Sequence, residues 1–132
     1  MSEGVQELMT EPGGDRVADC LFCRIVAGEL PASVVHVGER TVAFRDSNPV
    51  APTHVLVVPR RHVENAHALG PEHAADLSAM LAAAQEVADA EGIGADDRGY
   101  RLVFNVGPDA LNSVGHLHLH VIGGRAMTWP PG

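Results

Sequence analysis

The sequence predicts an α+β fold built on a mostly antiparallel sheet of five strands, with one short helix and one long helix. Five short runs are rich in β-branched and apolar residues, and turn residues such as Gly, Pro and Asn lie between them. One long segment in the middle of the chain has helical periodicity instead, so strands and helices do not alternate along the chain. This segregation is typical of α+β domains with antiparallel sheets.

The first elements are a short helix and a hairpin. The helix is predicted near Cys20–Gly28. Strands follow near Ser33–Val37 and Thr41–Arg45, and Gly38 and Glu39 lie between them in a hairpin-like turn. The sheet therefore begins with two strands that are adjacent in sequence and antiparallel.

The middle of the chain predicts a third strand and the long helix. His54–Val58 is apolar and is stopped by Pro59, which has no N–H for a sheet ladder. The segment Pro71–Glu91 reads as the long helix, with Pro71 near its first position and Gly92 at its end. The residues predicted along its apolar face are Leu77, Leu81, Ala84 and Val87.

Two further strands, Tyr100–Val106 and His116–Ile122, complete the sheet, and residues 20–132 form one domain. Residues 1–19 are acidic, small and polar, which predicts a disordered or loosely docked extension. They lack a basic segment followed by an apolar one, so no secretion signal is predicted.

Composition limits the classes of partner. The formal net charge is −8, and all nine basic residues are arginines, which argues against nucleic-acid polymers. Small anions remain candidates because local imidazoles and backbone dipoles define a phosphate site. The chain has no long apolar run for a membrane, and its two cysteines point to a reducing cytoplasm.

The strongest functional signal is a row of three histidines, His116, His118 and His120, which alternate with apolar residues. On a β-strand they would share one face while Leu117 and Leu119 fill the core. Three histidines on a straight strand are too far apart to bind one metal ion. The row suits an extended anionic substrate, with each imidazole in a different role.

Two polar sites accompany the row. A Gly/Pro/Asn-rich connection precedes it, in which Asn112 and Ser113 offer neutral hydrogen-bond donors, although Ser113 is equally typical of a simple turn. Asp46 follows an apolar strand. By spacing alone it is as compatible with a turn as with binding two ribose hydroxyls.

Cys20 and Cys23 form a C-x-x-C motif, which is ambiguous by itself. The pair is compatible with half of a zinc site, a redox couple or two buried thiols. Histidines elsewhere in the chain make Cys2His2 coordination feasible.

Together these motifs resemble the histidine triad family, in particular its Hint-type branch of nucleotide-binding hydrolases. The alternating histidines are the family signature, and other segments match in the same order from about Cys20 to the C-terminus. These segments are Cys20–Ile25, Ala43–Asp46, Ala51–His62 and Gly123–Gly132, the last containing Trp129, Pro130 and Pro131.

The resemblance implies hydrolysis of nucleoside 5′-phosphoramidates or related nucleoside monophosphate conjugates. His118 would attack the α-phosphorus and form a covalent nucleotidyl-histidine, which water then hydrolyses. His120 and His54 would hold the non-bridging oxygens, and Ser113 would lie near the departing atom.

The resemblance also implies binding residues, a metal and an assembly. A purine nucleotide of the AMP or GMP type would contact Phe22, Ile25, Phe44, Asp46, Asn105, Asn112, Ser113, His118 and His120. A structural zinc ion would be bound by Cys20, Cys23, His62 and His116. A two-fold homodimer would extend the sheet across its interface and carry the tail toward the partner's site.

Two departures from the family pattern, at Leu111 and Asn112, and two alternative functions remain. Family members usually have Gly-Gln-Ser where this chain has Leu111, Asn112 and Ser113, which leaves leaving-group preference open. The alternative functions are hydrolysis of dinucleoside polyphosphates, which the short Trp-Pro-Pro-Gly tail disfavours, and a zinc-stabilised nucleotide-binding or interaction module without turnover.

Overall fold

A computed structural model describes residues 16–132 and confirms the predicted α+β architecture. Five strands form one sheet in the order β1-β2-β3-β5-β4, and all neighbouring strands are antiparallel. The strands are β1 (Val34–Val37), β2 (Thr41–Arg45), β3 (Thr53–Pro59), β4 (Tyr100–Val103) and β5 (Leu119–Gly123). The helices are α1 (Leu21–Val26) and α2 (Ala74–Ala90), and short 3₁₀ helices span Ala66–Ala68, Pro71–His73 and Pro108–Ala110.

Helix α2 covers one face of the sheet. Its buried apolar residues are Met80, Ala83, Ala84, Val87 and Ala88, and they pack against residues such as Val55, Val57, Leu119 and Val121. Its buried Asp76 pairs instead with Arg40 and Arg61. Ala84 and Val87 are buried as predicted, whereas Leu77 is half-buried and Leu81 is 38% exposed. The prediction for Leu81 is wrong because the buried stripe is centred on Met80, which places Leu81 about 100° away around the helix.

Helix α1 lies on the opposite face and builds a second, smaller core. Its side chains Phe22, Ile25 and Val26 pack with sheet residues Val42, Phe44, Leu56 and Val58. Cys20 caps the helix, since its Sγ accepts a hydrogen bond from Cys23 N at 3.3 Å. Because this helix is short, the face of the sheet near it remains partly open.

The ends of several elements differ from the prediction. Strand β4 ends at Val103, which pairs with His120, instead of at Val106. The predicted end is not reached because β5 has only one residue, Leu119, before His120. Helix α2 begins at Ala74, after the 3₁₀ helix that starts at Pro71. Most of the predicted N-terminal extension lies outside the described residues, but Arg16 Nη2 donates a hydrogen bond to Glu29 at 2.6 Å.

Within residues 16–132, every helix is too short or too polar to cross a lipid bilayer.

Candidate active site and Cys/His cluster

The three histidines of the row do not lie on one regular strand. Strand β5 begins at Leu119, so only His120 belongs to it, while His116 and His118 precede it. The prediction of a single strand is wrong here because Leu117 N donates to Val63 O at 2.6 Å, beyond the end of β3. The alternation of sides nevertheless holds, since Leu117 and Leu119 are buried in the core under α2.

His118 is held in one orientation by its neighbours. Its Nδ1 lies 2.7 Å from His116 O and donates a hydrogen bond to that carbonyl. In the neutral imidazole the proton is then on Nδ1, which leaves a lone pair on Nε2. The edge-to-face contact with Phe22, with ring centroids 5.1 Å apart, also restricts the ring. The arrangement supplies an unprotonated nitrogen of fixed direction.

His54 and His120 form a hydrogen-bonded chain. Val50 N donates to His54 Nδ1 at 3.1 Å, so the proton of a neutral His54 is on Nε2. That Nε2 lies 2.9 Å from His120 Nδ1 and 3.3 Å from Asp46 Oδ2. When His54 donates to His120 Nδ1, the proton of His120 is on Nε2, which lies 3.4 Å from the side-chain amide nitrogen of Asn105. Because two donors do not pair, this tautomer requires the Asn105 amide to be turned so that its Oδ1 faces His120. This chain presents an N–H donor from His120.

His120 stays neutral well below pH 7. Burial lowers its pKa to about 4, helped by the nearby His118 and His54 and opposed by Asp46. A neutral imidazole at neutral pH is what the hydrogen-bonded chain from His54 requires, because His120 Nδ1 acts there as an acceptor.

The cavity beside these histidines has a volume of about 570 Å³, within the range of small-molecule sites. The predicted site residues that line it are Phe22, Ile25, Phe44, Asp46, Asn105, Ser113, His118 and His120. A second cavity of about 460 Å³, near Tyr100 and Arg125, contains none of the predicted site residues.

Two predicted site residues do not line the cavity. His54 is buried behind His120, so it acts on the cavity through that residue. Asn112 is turned away, and its Oδ1 is buried without a hydrogen-bond partner among the described residues. Asp46 Oδ1 accepts a hydrogen bond from Asn48 N at 2.8 Å, as expected of a turn residue. Asp46 also lines the cavity.

Three leucines on the cavity wall, Leu21, Leu56 and Leu111, were not among the predicted site residues. Leu56 could have been found, since it lies two residues after His54 on the same strand and pairs with His120. Leu111 was marked only by its departure from the family's glycine, and no periodicity indicated its place on the wall because it lies in an irregular connection.

The second cluster consists of Cys20, Cys23, His62 and His116, whose ligand atoms all lie within 4.8 Å of one another. Cys20 Sγ is 3.3 Å from His116 Nδ1, and Cys23 Sγ is 3.4 Å from His62 Nδ1 and 3.5 Å from His116 Nδ1. Tetrahedral zinc with ordinary bond lengths separates sulfur from nitrogen by about 3.6 Å. The four side chains therefore fit a zinc ion.

The polarity of the cluster also fits a metal. His116 Nε2 donates to Pro59 O at 2.9 Å, which leaves the Nδ1 lone pair directed at the sulfurs. Burial lowers the pKa of His116 to about 4, so this imidazole is neutral at pH 7. Burial also raises the pKa of the Cys23 thiol, which a bound cation would reverse.

Comparison with known proteins gives the family. Residues 27–127 match the model of the HIT domain. The chain is 46% identical to a HIT family hydrolase from Legionella pneumophila, whose crystal structure superposes with a TM-score of 0.83 over 86% of this chain and all of that one. A HIT family hydrolase from Clostridium thermocellum is 39% identical, with a TM-score of 0.80 over 85% of this chain and 96% of that one. The chain belongs to the HIT family.

A plant relative bears on the Cys/His cluster. The HIT chain is 41% identical to a maize protein named 14 kDa zinc-binding protein, over 85% of this chain and 87% of that one. The fold is that of the two HIT family hydrolases. The name of the maize relative and the Cys2His2 cluster of this chain both suggest zinc.

The low pKa of His120 predicts acid sensitivity of this HIT domain. Between about pH 6.5 and pH 4 the unfolded chain binds a proton that folded His120 does not, so the free energy of unfolding falls as pH is lowered through this range. At full burial the difference corresponds to about 3 kcal/mol, and partial solvent contact reduces it to about 2 kcal/mol.

Urea unfolding of the wild type and His120→Gln at pH 7.0 and at about pH 4.5 measures this contribution. We expect the wild type to lose about 1 to 2 kcal/mol more than the variant over this range. Both proteins keep the Cys/His cluster, so acid effects on that cluster cancel in the comparison. Equal losses would show that His120 is not held neutral by the fold.

Proposed function

We propose that the protein hydrolyses nucleoside 5′-phosphoramidates, or related nucleoside monophosphate conjugates, through a covalent nucleotidyl intermediate on His118. The observation that carries this proposal is the hydrogen bond from His118 Nδ1 to His116 O, at 2.7 Å. It fixes the tautomer that a nucleophilic imidazole needs, on the wall of a nucleotide-sized cavity.

In the first step the Nε2 lone pair of His118 attacks the α-phosphorus. A P–N bond to His118 forms, the bond to the leaving amine breaks, and the amine nitrogen takes up a proton from solvent. In the second step water attacks the same phosphorus and the P–N bond to His118 breaks. This step releases the nucleoside monophosphate, returns one proton to solvent and restores the neutral imidazole. Ser113, which lines the cavity, would donate a hydrogen bond to the departing atom.

His120 stabilises the charge that develops on the phosphoryl oxygens. Its Nε2–H donates to a non-bridging oxygen, and this donor is already oriented before substrate binds. His54 positions His120 through the 2.9 Å contact between their rings instead of touching the phosphate directly. Asp46 Oδ2 lies 3.3 Å from the same Nε2, so the single proton there is shared between His120 Nδ1 and this carboxylate, and both acceptors favour the Nε2 tautomer of His54.

The nucleoside would occupy the apolar part of the cavity. Phe22, Ile25, Phe44 and Leu56 provide walls for a purine base, and Asp46 at the end of β2 provides an acceptor for ribose hydroxyls. The ligand would thus be a purine nucleotide of the AMP or GMP type.

Cys20, Cys23, His62 and His116 would hold a structural zinc ion. The ion would tie α1 to the segment before β5 and would deprotonate the cysteines. Bound there, His116 is not available as a nucleophile, and its carbonyl keeps its place as the acceptor for His118. Two thiolates that bind zinc also suit the reducing cytoplasm predicted from the cysteine content.

A homodimer is proposed on the β4 edge of the sheet, one of its two free edges. Among the described strands β4 pairs only with β5, and Leu102 on β4 and the nearby Val106 are 41% and 39% exposed. Pairing of two β4 strands would continue the sheet across a two-fold axis. Trp129, 81% exposed in the tail, would provide an aromatic contact.

The test of this function is steady-state turnover of adenosine 5′-phosphoramidate and of diadenosine tetraphosphate by the wild type. Equilibrium binding of AMP is measured as the control. We expect the phosphoramidate to be hydrolysed with kcat/KM at least about a hundred times that for the dinucleotide. Preference for the dinucleotide would favour the polyphosphate alternative. AMP binding without turnover of either substrate would favour the binding module.

A further inference from the structure

Leu111 combines two unfavourable features. Its φ of 59° and ψ of 33° place it in the left-handed region, where it is the only residue other than glycine with positive φ in residues 16–132. It is also 86% exposed, the highest value among the large apolar side chains of that range. A β-carbon is disfavoured in this backbone conformation, and an exposed leucine gains nothing from burial.

The connection between β4 and β5 imposes this conformation. The 3₁₀ helix Pro108–Ala110 ends at Leu111, whose N donates to Pro108 O at 3.0 Å, and Asn112 N donates to Gly107 O at 3.1 Å. This turn directs Asn112 inward and leaves Leu111 on the cavity wall. The strained backbone at Leu111 thus places an apolar side chain on the cavity wall.

Leu111 lies at the mouth of the cavity. Phe22, Ile25 and Phe44, which are proposed to contact the nucleoside, are buried, whereas Leu111 and Ser113 are exposed. Leu21 on α1 also lines the cavity and is 47% exposed, so two exposed leucines border the opening. In-line attack by His118 drives the leaving group away from the imidazole and toward this opening.

We propose that Leu111 contacts the leaving group and makes this site prefer conjugates whose leaving amine carries an apolar chain. This inference rests on the proposed function, since it concerns the group that departs when His118 attacks. Contact with an apolar chain would bury Leu111 when substrate binds and would stabilise the bound conjugate. A polar chain of the same length would gain less from this contact.

The test compares two adenosine 5′-phosphoramidates of similar length, one formed from hexylamine and one from aminoethoxyethanol. The measured quantity is kcat/KM for the hexylamine conjugate divided by kcat/KM for the aminoethoxyethanol conjugate. The same two conjugates are used with every variant, so differences in their intrinsic reactivity cancel when the ratios of two variants are compared. The variants are Leu111→Asn, since Asn tolerates the left-handed region, and Leu111→Gly. Leu81→Asn, an exposed leucine on α2, is the matched control.

We expect the ratio to fall about five- to tenfold in both Leu111 variants and to stay unchanged in Leu81→Asn. An unchanged ratio in proteins that still hydrolyse both conjugates would overturn the role of Leu111 and leave the proposed function intact. No turnover of either conjugate by the wild type would overturn both. A shift of the Leu111 variants to a smaller species in sedimentation velocity, with the ratio unchanged, would assign Leu111 to a subunit interface instead.

Discussion

Replacing His118 by Ala is expected to lower kcat/KM for adenosine 5′-phosphoramidate by at least about 10⁴-fold. The variant loses the only lone pair that the hydrogen bond to His116 O directs for attack, so the two-step route is closed. The rest of the cavity is unchanged, and AMP should bind the variant within a few fold of the wild type. Stopped-flow or steady-state kinetics with equilibrium AMP titration measures both quantities.

His120→Gln is the matched control for this experiment. It replaces the imidazole N–H that His54 orients with an amide of different shape and reach, and it keeps the nucleophile, so we expect a smaller loss of about 10²- to 10³-fold. Turnover by a folded His118→Ala protein within tenfold of the wild type would rule out His118 as the nucleophile. Equal losses in the two variants would mean that the histidines act as one unit and not in the separate roles proposed.

Removing the metal is expected to have the largest effect on stability. Protein purified without chelators should contain one zinc ion per chain, and Cys23→Ser should lower the free energy of unfolding by at least about 3 kcal/mol. The cause is the position of the cluster, which joins the start of α1 to the segment after β3 and to the segment before β5 through Cys20, His62 and His116. Metal analysis and denaturant unfolding measure the two effects.

A chelator provides the control for the cysteine variant. Wild type treated with chelator should become as unstable as Cys23→Ser, while Cys23→Ser should not respond to the chelator. Loss of the ion should also reduce turnover, because it frees His116, whose carbonyl orients His118. Unchelated wild type with no stoichiometric metal, and with unchanged stability after chelation, would contradict the zinc proposal.

Local patterns in the sequence were sufficient for much of the fold. Strand β2 was predicted with its observed ends, because Gly38 and Glu39 mark the hairpin and Asp46 marks the exit. The short helix was predicted near Cys20–Gly28 and spans Leu21–Val26. Alternation alone placed Leu117 and Leu119 in the core.

The differences arise from contacts that are distant in sequence. The start of β5 depends on the bond from Leu117 N to Val63 O, and the position of His54 depends on His120, 66 residues away. Leu111, and not the predicted Asn112, lines the cavity because of the 3₁₀ helix that ends at Leu111, and no periodicity in the sequence predicts this turn. Residue types predicted the chemistry of the site, but long-range hydrogen bonds determine which side chain faces the ligand.

The most direct test is to trap the intermediate. Wild type mixed with adenosine 5′-phosphoramidate would be quenched in alkali within milliseconds to seconds, digested and analysed by mass spectrometry for a nucleotidyl adduct. The account predicts an adenylyl group on His118 that forms and decays during turnover and that is absent from His118→Ala. Turnover without any adduct, or an adduct on another residue, would contradict it.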